Sequence, residues 1–485
     1  MSISRKQFLK NAVLFGVGST CFNQNLFAKN ELNPPTCPSI PCGLDLTSDT
    51  TPFSDILVRN YSYATTGTID PALRDIKFYR EYAKNTLAGD CVHSEVLPDD
   101  YVCEDPLASL IYDVYYPTKA KGITIDYSTC ATLPAVIFAH SGGFSDCSSK
   151  DIPGISIYAT EFAKRGFICF SIEYRRGVQL DYMHRVYTSV QQEIAIYRAC
   201  QDARGAIRTI IQRHGTYNDF FQIDTSSVFV GGNSAGSLAM LNAAYYSDPT
   251  IVYPIFPKLA GSSINIQQAL GPINANFYDC DSSQPYIGNI KGVINLWGSI
   301  SLPPSYFNNE ASYFMGQSTP PVISFHGFKD DVFPVYSQDL KFAPPSDPAF
   351  NSESRCLRTS PFATEGIAST VDLKNYGSLG LVSQVLQPLN VFFEVYIDCT
   401  MMHGLDTNGP DYASDFGTGA TNSTDTQIYI VKRAATFFQA ILNGKANTLR
   451  DNSTIHKFFY DCANSRNKCQ LINNDNNCNN TNPCT

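Results

Sequence analysis

Positive charge is in short supply in this sequence. Lys and Arg number 35 against 44 Asp and Glu, for a net charge of -9, and charged residues make up only 16% of the chain. A nucleic-acid partner would need a basic face, which this balance does not provide. Tryptophan is almost missing, with Trp297 alone, so an indole platform for sugars has weak support. No Cys-x-x-Cys pair and no His-Glu-x-x-His run occurs, so a structural zinc or a zincin-type metal site has none. No metal or cofactor is implied. Long apolar runs are also lacking. The N-terminal apolar stretch, Ala12 to Val17, is too short to cross a bilayer, and no stable membrane span is expected. There is no internal repeat.

What remains is ample material for a core and for cross-links. Hydrophobic residues are 43% of the 485, more than one average domain needs. Cysteines number 16, a usage that suits an oxidising compartment where disulfides persist. The N-terminus fits that setting. Arg5 and Lys6 precede the apolar stretch, and Leu26-Phe27-Ala28 ends in a small residue suited to cleavage. Residues 1–28 therefore read as an export signal of the Sec or twin-arginine-like kind, with a secreted or periplasmic destination. Removing Cys21 with that segment leaves an odd number of cysteines, and the pairings are not legible from sequence.

Residues 29–105 read as an irregular N-terminal extension, with Pro34, Pro35, Pro38 and Pro41 and cysteines 37, 42, 91 and 103. From 106 to 450 apolar, β-prone runs alternate with helical periodicity. The spacing predicts strands at 110–116, 135–139, 167–173, 227–230, 292–296, 322–325 and 391–397. Helices are expected at 157–165, 193–213, 237–246 and 428–442. This alternation predicts an α/β fold with a mostly parallel sheet covered on both faces. Two stretches without that regularity, 247–290 and 338–376, read as cap or loop insertions. Residues 451–485 form an Asn-rich tail with cysteines 462, 469, 478 and 484.

Chemistry concentrates in four short runs. Gly232-Asn233-Ser234-Ala235-Gly236 has the G-x-S-x-G form. The apolar strand Val228-Phe229-Val230 leads into it, and an Ala/Leu/Met-rich helix leads out. Strand, tight turn and helix together make a nucleophile elbow, which exposes a serine at the carboxyl end of a sheet. Glycines are required because the turn is sharp and neighbouring backbone comes close. His140-Ser141-Gly142-Gly143-Phe144 follows a second strand. It resembles the HGGG-type run of lipases and esterases, with serine in the first glycine place. Backbone N–H groups of Gly142 or Gly143, with that of Ala235, would then face a tetrahedral oxyanion. Which glycine donates is open.

Of the seven histidines, His326, His403 and His456 follow Ser234. His326-Gly327-Phe328-Lys329-Asp330-Asp331-Val332-Phe333-Pro334 resembles an HGxxDxxVP segment, and Met401-Met402-His403-Gly404 follows the last predicted catalytic-domain strand. On these runs the chain resembles the α/β-hydrolase superfamily, and within it bacterial carboxylesterases of the acetyl-esterase and feruloyl-esterase-like kind. Asp113-Val114-Tyr115-Tyr116-Pro117, Phe162-Ala163-Lys164-Arg165-Gly166-Phe167 and Ile172-Glu173-Tyr174-Arg175 match further pieces, the last with Glu in the Asp place. Tyr174 and Arg175 read as packing and hydrogen-bonding groups. The resemblance covers about residues 106–445. It implies an eight-stranded, mostly parallel sheet, Ser234 as nucleophile, Asp330 as acid with Asp331 as the alternative, and His403 as base. The activity it implies is ester hydrolysis through an acyl-enzyme, on an extracellular acylated polysaccharide or a polyester. A serine peptidase of the same fold and a non-catalytic binding module remain as alternatives. Oligomeric state and ester preference are not legible.

Overall fold

The structure is a computed structural model. It describes residues 53–64, 110–120, 122–127, 132–144, 153–175, 189–215, 221–246, 272–275, 278, 280, 289–302, 319–328, 330, 332–339, 374–398, 403–404, 423–444 and 454–458. The export signal, most of the N-terminal extension, nearly all of both insertions and most of the tail lie outside these residues, as does Asp331.

Thirteen strands are described. They are β1 (Phe53–Ser62), β2 (Ile111–Ala120), β3 (Ile123–Thr124), β4 (Leu133–Ala139), β5 (Ile168–Ile172), β6 (Ile223–Asn233) and β7 (Ile290–Leu296), then β8 (Ile300–Leu302), β9 (Val322–Gly327), β10 (Ser337–Asp339), β11 (Lys374–Tyr376), β12 (Phe393–Asp398) and β13 (Thr454–Phe458). Ten join one sheet in the order β1-β2-β5-β4-β6-β7-β9-β12-β13, with β3 on β2. β5 through β13 in that order run parallel, and β2 is antiparallel to β5. These eight strands make the expected mostly parallel sheet. β1 and β3 extend it by antiparallel pairing with β2. β1 belongs to the N-terminal extension and β13 to the tail, so both segments contribute strands to the central sheet. A separate three-stranded sheet, β10-β11-β8, closes the base of the 338–376 insertion.

Side chains alternate across the strands with a period of two, which builds two core layers. Ala135, Ile137 and Ala139 of β4 enter one layer, while Val136 and Phe138 enter the other. Two helices cover the first face, α2 (Ser189–His214) on its Ala195/Ala199/Ala203/Ala206/Ile210 stripe and α3 (Ala235–Tyr245). All eleven residues of α3 are buried, as an apolar helix in a core should be. The second face is covered by α1 (Pro153–Ala163) and, following a short turn α4 (Ser378–Leu381) that runs into a π-helical turn, by α5 (Ser423–Leu442). Phe438 of α5 stacks on Phe229 of β6 at 3.9 Å between ring centroids. Burial of one such ring contributes about 1.5–3 kcal/mol.

Cys169, Cys200 and Cys280 carry free thiols, and the first two are buried. Burial pushes the Cys169 thiol well above its ordinary value and the Cys200 thiol up to about 11. The cysteines of the extension and tail lie outside the described residues. Among the described residues no helix is long and apolar enough to cross a membrane.

Candidate active site

The parallel strands point their carboxyl ends to one edge of the sheet, and the sequence-derived site residues gather there. Ser234 sits between the last residue of β6 and the first of α3. Its φ of 52° and ψ of -121° are strained for a residue with a Cβ, at a cost of about 1–3 kcal/mol. Surrounding contacts hold it there. Ser234 N–H donates to Leu296 O at 2.9 Å, and Leu238 N–H donates to Ser234 O at 3.1 Å. Gly236 is required by crowding, because a Cβ there would run into the carbonyl oxygens of Ala139 and His140. The elbow is thus wedged against the end of β4.

β9 and β12 are parallel neighbours, with Ile397 opposite His326 and Asp398 opposite Gly327. The turn after β9 carries Asp330, and the loop after β12 carries His403. Strand register therefore sets Asp330 and His403 side by side. His403 Nδ1 lies 2.8 Å from Asp330 Oδ2, and His403 Nε2 lies 2.8 Å from Ser234 Oγ. All three residues are buried. A carboxylate can only accept, so Nδ1 carries hydrogen and Nε2 presents its lone pair to the serine hydroxyl.

The other oxygen of Asp330 is also held. Oδ1 accepts backbone N–H groups of Val332 and Phe333 at 2.9 and 2.8 Å. Burial alone would raise the carboxyl's pKa. The charge of His403 and the hydrogen bonds from His326 and His403 outweigh that, and hold it well below the usual carboxylate range. His326, on β9, is fully buried with Nε2 3.1 Å from Asp330 Oδ2. The third histidine of the C-terminal half, His456, lies on β13 in register with Tyr396.

The His140–Phe144 run leaves β4 beside the elbow, since Ala139 pairs with Gly232. Gly142, Gly143 and Phe144 all have positive φ, at 111°, 57° and 66°, a conformation that glycine adopts without steric cost. The loop is fastened from below. His140 Nδ1 donates to Ser141 O at 2.7 Å, and Tyr174 Oη donates to His140 O at 2.8 Å and to Ser141 O at 3.3 Å. The Tyr174 ring stacks on His140 at 4.3 Å. In a trans peptide N–H and C=O point in opposite directions. With Ser141 C=O turned down onto Tyr174, the N–H of Gly142 points away from it. Tyr174 is itself anchored by its neighbour, because Arg175 Nε donates to Asp202 Oδ1 at 2.9 Å and its backbone N–H to Oδ2 at 2.8 Å. The packing and hydrogen-bonding roles expected of Tyr174 and Arg175 are therefore aimed at the oxyanion loop. His326 has no role in the sequence beyond opening its segment, and its i,i+4 spacing to Asp330 is the signal that could have found one.

Residues 113–343 match the family model described as BD-FAE, an α/β-hydrolase esterase family. No curated protein sequence matches the chain. Among solved structures, the chain is similar to a carboxylesterase from Lactobacillus plantarum WCFS1, at 13% identity, with 70% of this chain and 94% of that chain covered and a TM-score of 0.38. It is also similar to a propionate-bound thermophilic esterase of the planctomycete Thermogutta terrifontis, at 15% identity, 70% and 90% coverage and a TM-score of 0.34. A third is an α/β hydrolase enzyme from a Medee basin deep-sea metagenome library, at 14% identity, 69% and 93% coverage and a TM-score of 0.36. Among the described residues no group of His, Cys, Asp and Glu is arranged to hold a metal ion.

Proposed function

We propose that the protein is a secreted serine carboxylic-ester hydrolase, with Ser234 as nucleophile, His403 as base and Asp330 as acid. The hydrogen-bonded chain Ser234–His403–Asp330 carries this reading. His403 Nε2 takes the hydroxyl proton as Ser234 Oγ attacks the ester carbonyl carbon. The oxyanion is received by backbone N–H groups of Ala235 and of Gly142, with Gly143 beside it. The imidazolium then gives its proton to the alcohol oxygen as the C–O bond breaks, leaving an acyl-serine. Water repeats the sequence on the acyl-enzyme, releasing the carboxylic acid and restoring Ser234. Asp330 holds the Nδ1–H tautomer and stabilises the imidazolium.

The N-terminal export-like segment supports an external substrate, an acylated polysaccharide or a polyester. A panel of acetyl, butyryl, feruloyl and polyester substrates tests the reading, with a dipeptidyl anilide beside it. Ester turnover that disappears in Ser234→Ala is the expected result. Anilide cleavage without ester cleavage would make the protein a peptidase. A folded protein whose Ser234 fails to react with a fluorophosphonate probe would leave a binding module.

A further inference from the structure

We infer that His326 is a positioning residue for Asp330, its Nε2–H held by the Phe333 carbonyl beside the carboxylate while the Ser378 hydroxyl fixes its tautomer. The inference rests on the proposed role of Asp330. His326 Nε2 lies 2.7 Å from the carbonyl oxygen of Phe333. A carbonyl cannot donate, so Nε2 must carry hydrogen, and the same N–H faces Asp330 Oδ2 at 3.1 Å. In the neutral ring Nδ1 is then an acceptor, and Ser378 Oγ sits 2.8 Å from it. The hydroxyl hydrogen goes to Nδ1, and its oxygen accepts from Asn295 Nδ2 at 3.4 Å.

Asn295 carries the chain onward. Its Nδ2 also donates to Ser324 Oγ at 2.9 Å, and its Oδ1 accepts from Ser237 Oγ at 2.5 Å and from Gly298 N–H at 3.0 Å. Ser237 lies in the first turn of α3, the helix that begins at the nucleophile. His326, Ser378, Asn295, Ser324 and Ser237 are all fully buried, and none of their polar side-chain atoms lacks a partner. A satisfied buried network of this kind rigidifies the groups at its ends. Here those ends are the acid and the nucleophile helix, joined behind the reacting face by a route that does not pass through His403.

The consequence for Asp330 is specific. Among the described residues, the titratable groups bearing on it are His403 from the loop after β12 and His326 from β9. His403 Nδ1–H bonds Oδ2 and the His326 Nε2–H lies 3.1 Å from the same oxygen, while two backbone N–H groups meet at Oδ1. Removing the His326 donor lets the carboxyl rise from its depressed value. The stability that the ionised carboxylate supplies above pH 3.8 is then reduced.

His326→Leu, His326→Gln and Ser378→Ala are compared with wild type by kcat and KM at neutral pH and by urea unfolding across pH. His326→Leu is expected to lower kcat about tenfold with KM unchanged, and to lose more stability at neutral pH than in acid below pH 3.8. His326→Gln restores an N–H donor and moves the profile back toward wild type. Ser378→Ala, a small change that keeps the fold, moves it in the same direction as Leu by a smaller amount, and decides the matter if His326→Leu does not fold. A folded Leu or Ala variant that keeps wild-type kcat and loses stability evenly at every pH would overturn the inference and leave His326 a core residue. Absence of Ser234-dependent turnover in wild type would instead overturn the proposed function beneath it.

Discussion

Replacing Asp330 by Asn changes one atom pair and inverts the logic of the site. The carboxylate accepts three hydrogen bonds and donates none, from Val332 and Phe333 N–H on Oδ1 and His403 Nδ1 on Oδ2, and a fourth N–H, that of His326 Nε2, lies 3.1 Å from Oδ2. An amide NH2 has no comfortable place among four donors. Set against Oδ1's partners it meets two backbone N–H groups, which cannot change. Turned toward the histidines it meets His403, whose ring can shift its hydrogen from Nδ1 to Nε2. That second arrangement wins because only the imidazole is adaptable. His403 would then present Nε2–H to Ser234, with no lone pair to take the hydroxyl proton. A wrong-tautomer base lowers kcat by about 10⁴-fold, or about 5.5 kcal/mol of barrier. The assay is kcat on p-nitrophenyl acetate at neutral pH, with fluorophosphonate labelling of Ser234 as a second readout. Stability supplies a separate check. Asp330's folded pKa is depressed, so its stabilising contribution is present above the ordinary carboxyl value of 3.8 and is lost as pH falls below that toward the folded value. The Asn variant lacks this component of acid unfolding. A folded Asn variant with kcat within tenfold of wild type would refute the assignment of both the acid and the tautomer.

Three other changes probe the scaffold around the site. Gly236→Ala places a methyl group against the Ala139 and His140 carbonyls, and should cost about 3 kcal/mol in urea unfolding, with activity falling as the elbow shifts. Tyr174→Phe removes the hydroxyl that holds the His140 and Ser141 carbonyls. It should lower kcat/KM about tenfold, with about 1 kcal/mol of lost stability; unchanged kinetics would separate this residue from the oxyanion loop. Phe438→Ala opens the core where α5 meets Phe229, Phe162 and Phe167. The expected cost is about 3–5 kcal/mol, while kcat per folded molecule stays at the wild-type level.

Much of this architecture is legible in the amino-acid sequence because the signals that set it are local. Strands β4, β6, β7 and β9 are short apolar runs bounded by turn residues, and Ser234 lies where one such run meets a helix. Asp330 and His403 stand out because each follows a strand end closely. What escapes a local reading depends on distant partners. β1 reads FSDILVRNYS, and its exposure alternates weakly, with Leu57 and Val58 left open to solvent. Only its pairing with β2 makes it a strand. β8, β10 and β11 have three residues each, too few for a periodicity to register. The His326–Ser378 contact joins residues 52 apart, across the long insertion, and no local pattern announces a bond of that span. Periodicity starts α3 two residues late, at Ser237, because the crowded glycine at 236 reads as turn rather than helix.

The pairing of β13 with β12 has a bearing on how the folded molecule resists association. β12 is apolar on one face, with Phe393, Val395 and Ile397 in one layer, while Tyr396 enters the other layer between Glu394 and Asp398. Without β13 it would be the border of the sheet, offering unpaired N–H and C=O groups along a greasy ribbon to any second copy. The short run Thr454–Phe458 works as a selvedge that keeps the cloth from unravelling into its neighbours. Proteolytic trimming beyond residue 450 would spare Ser234, His403 and Asp330 and still end the protein's useful life, through clumping rather than through damage to its chemistry.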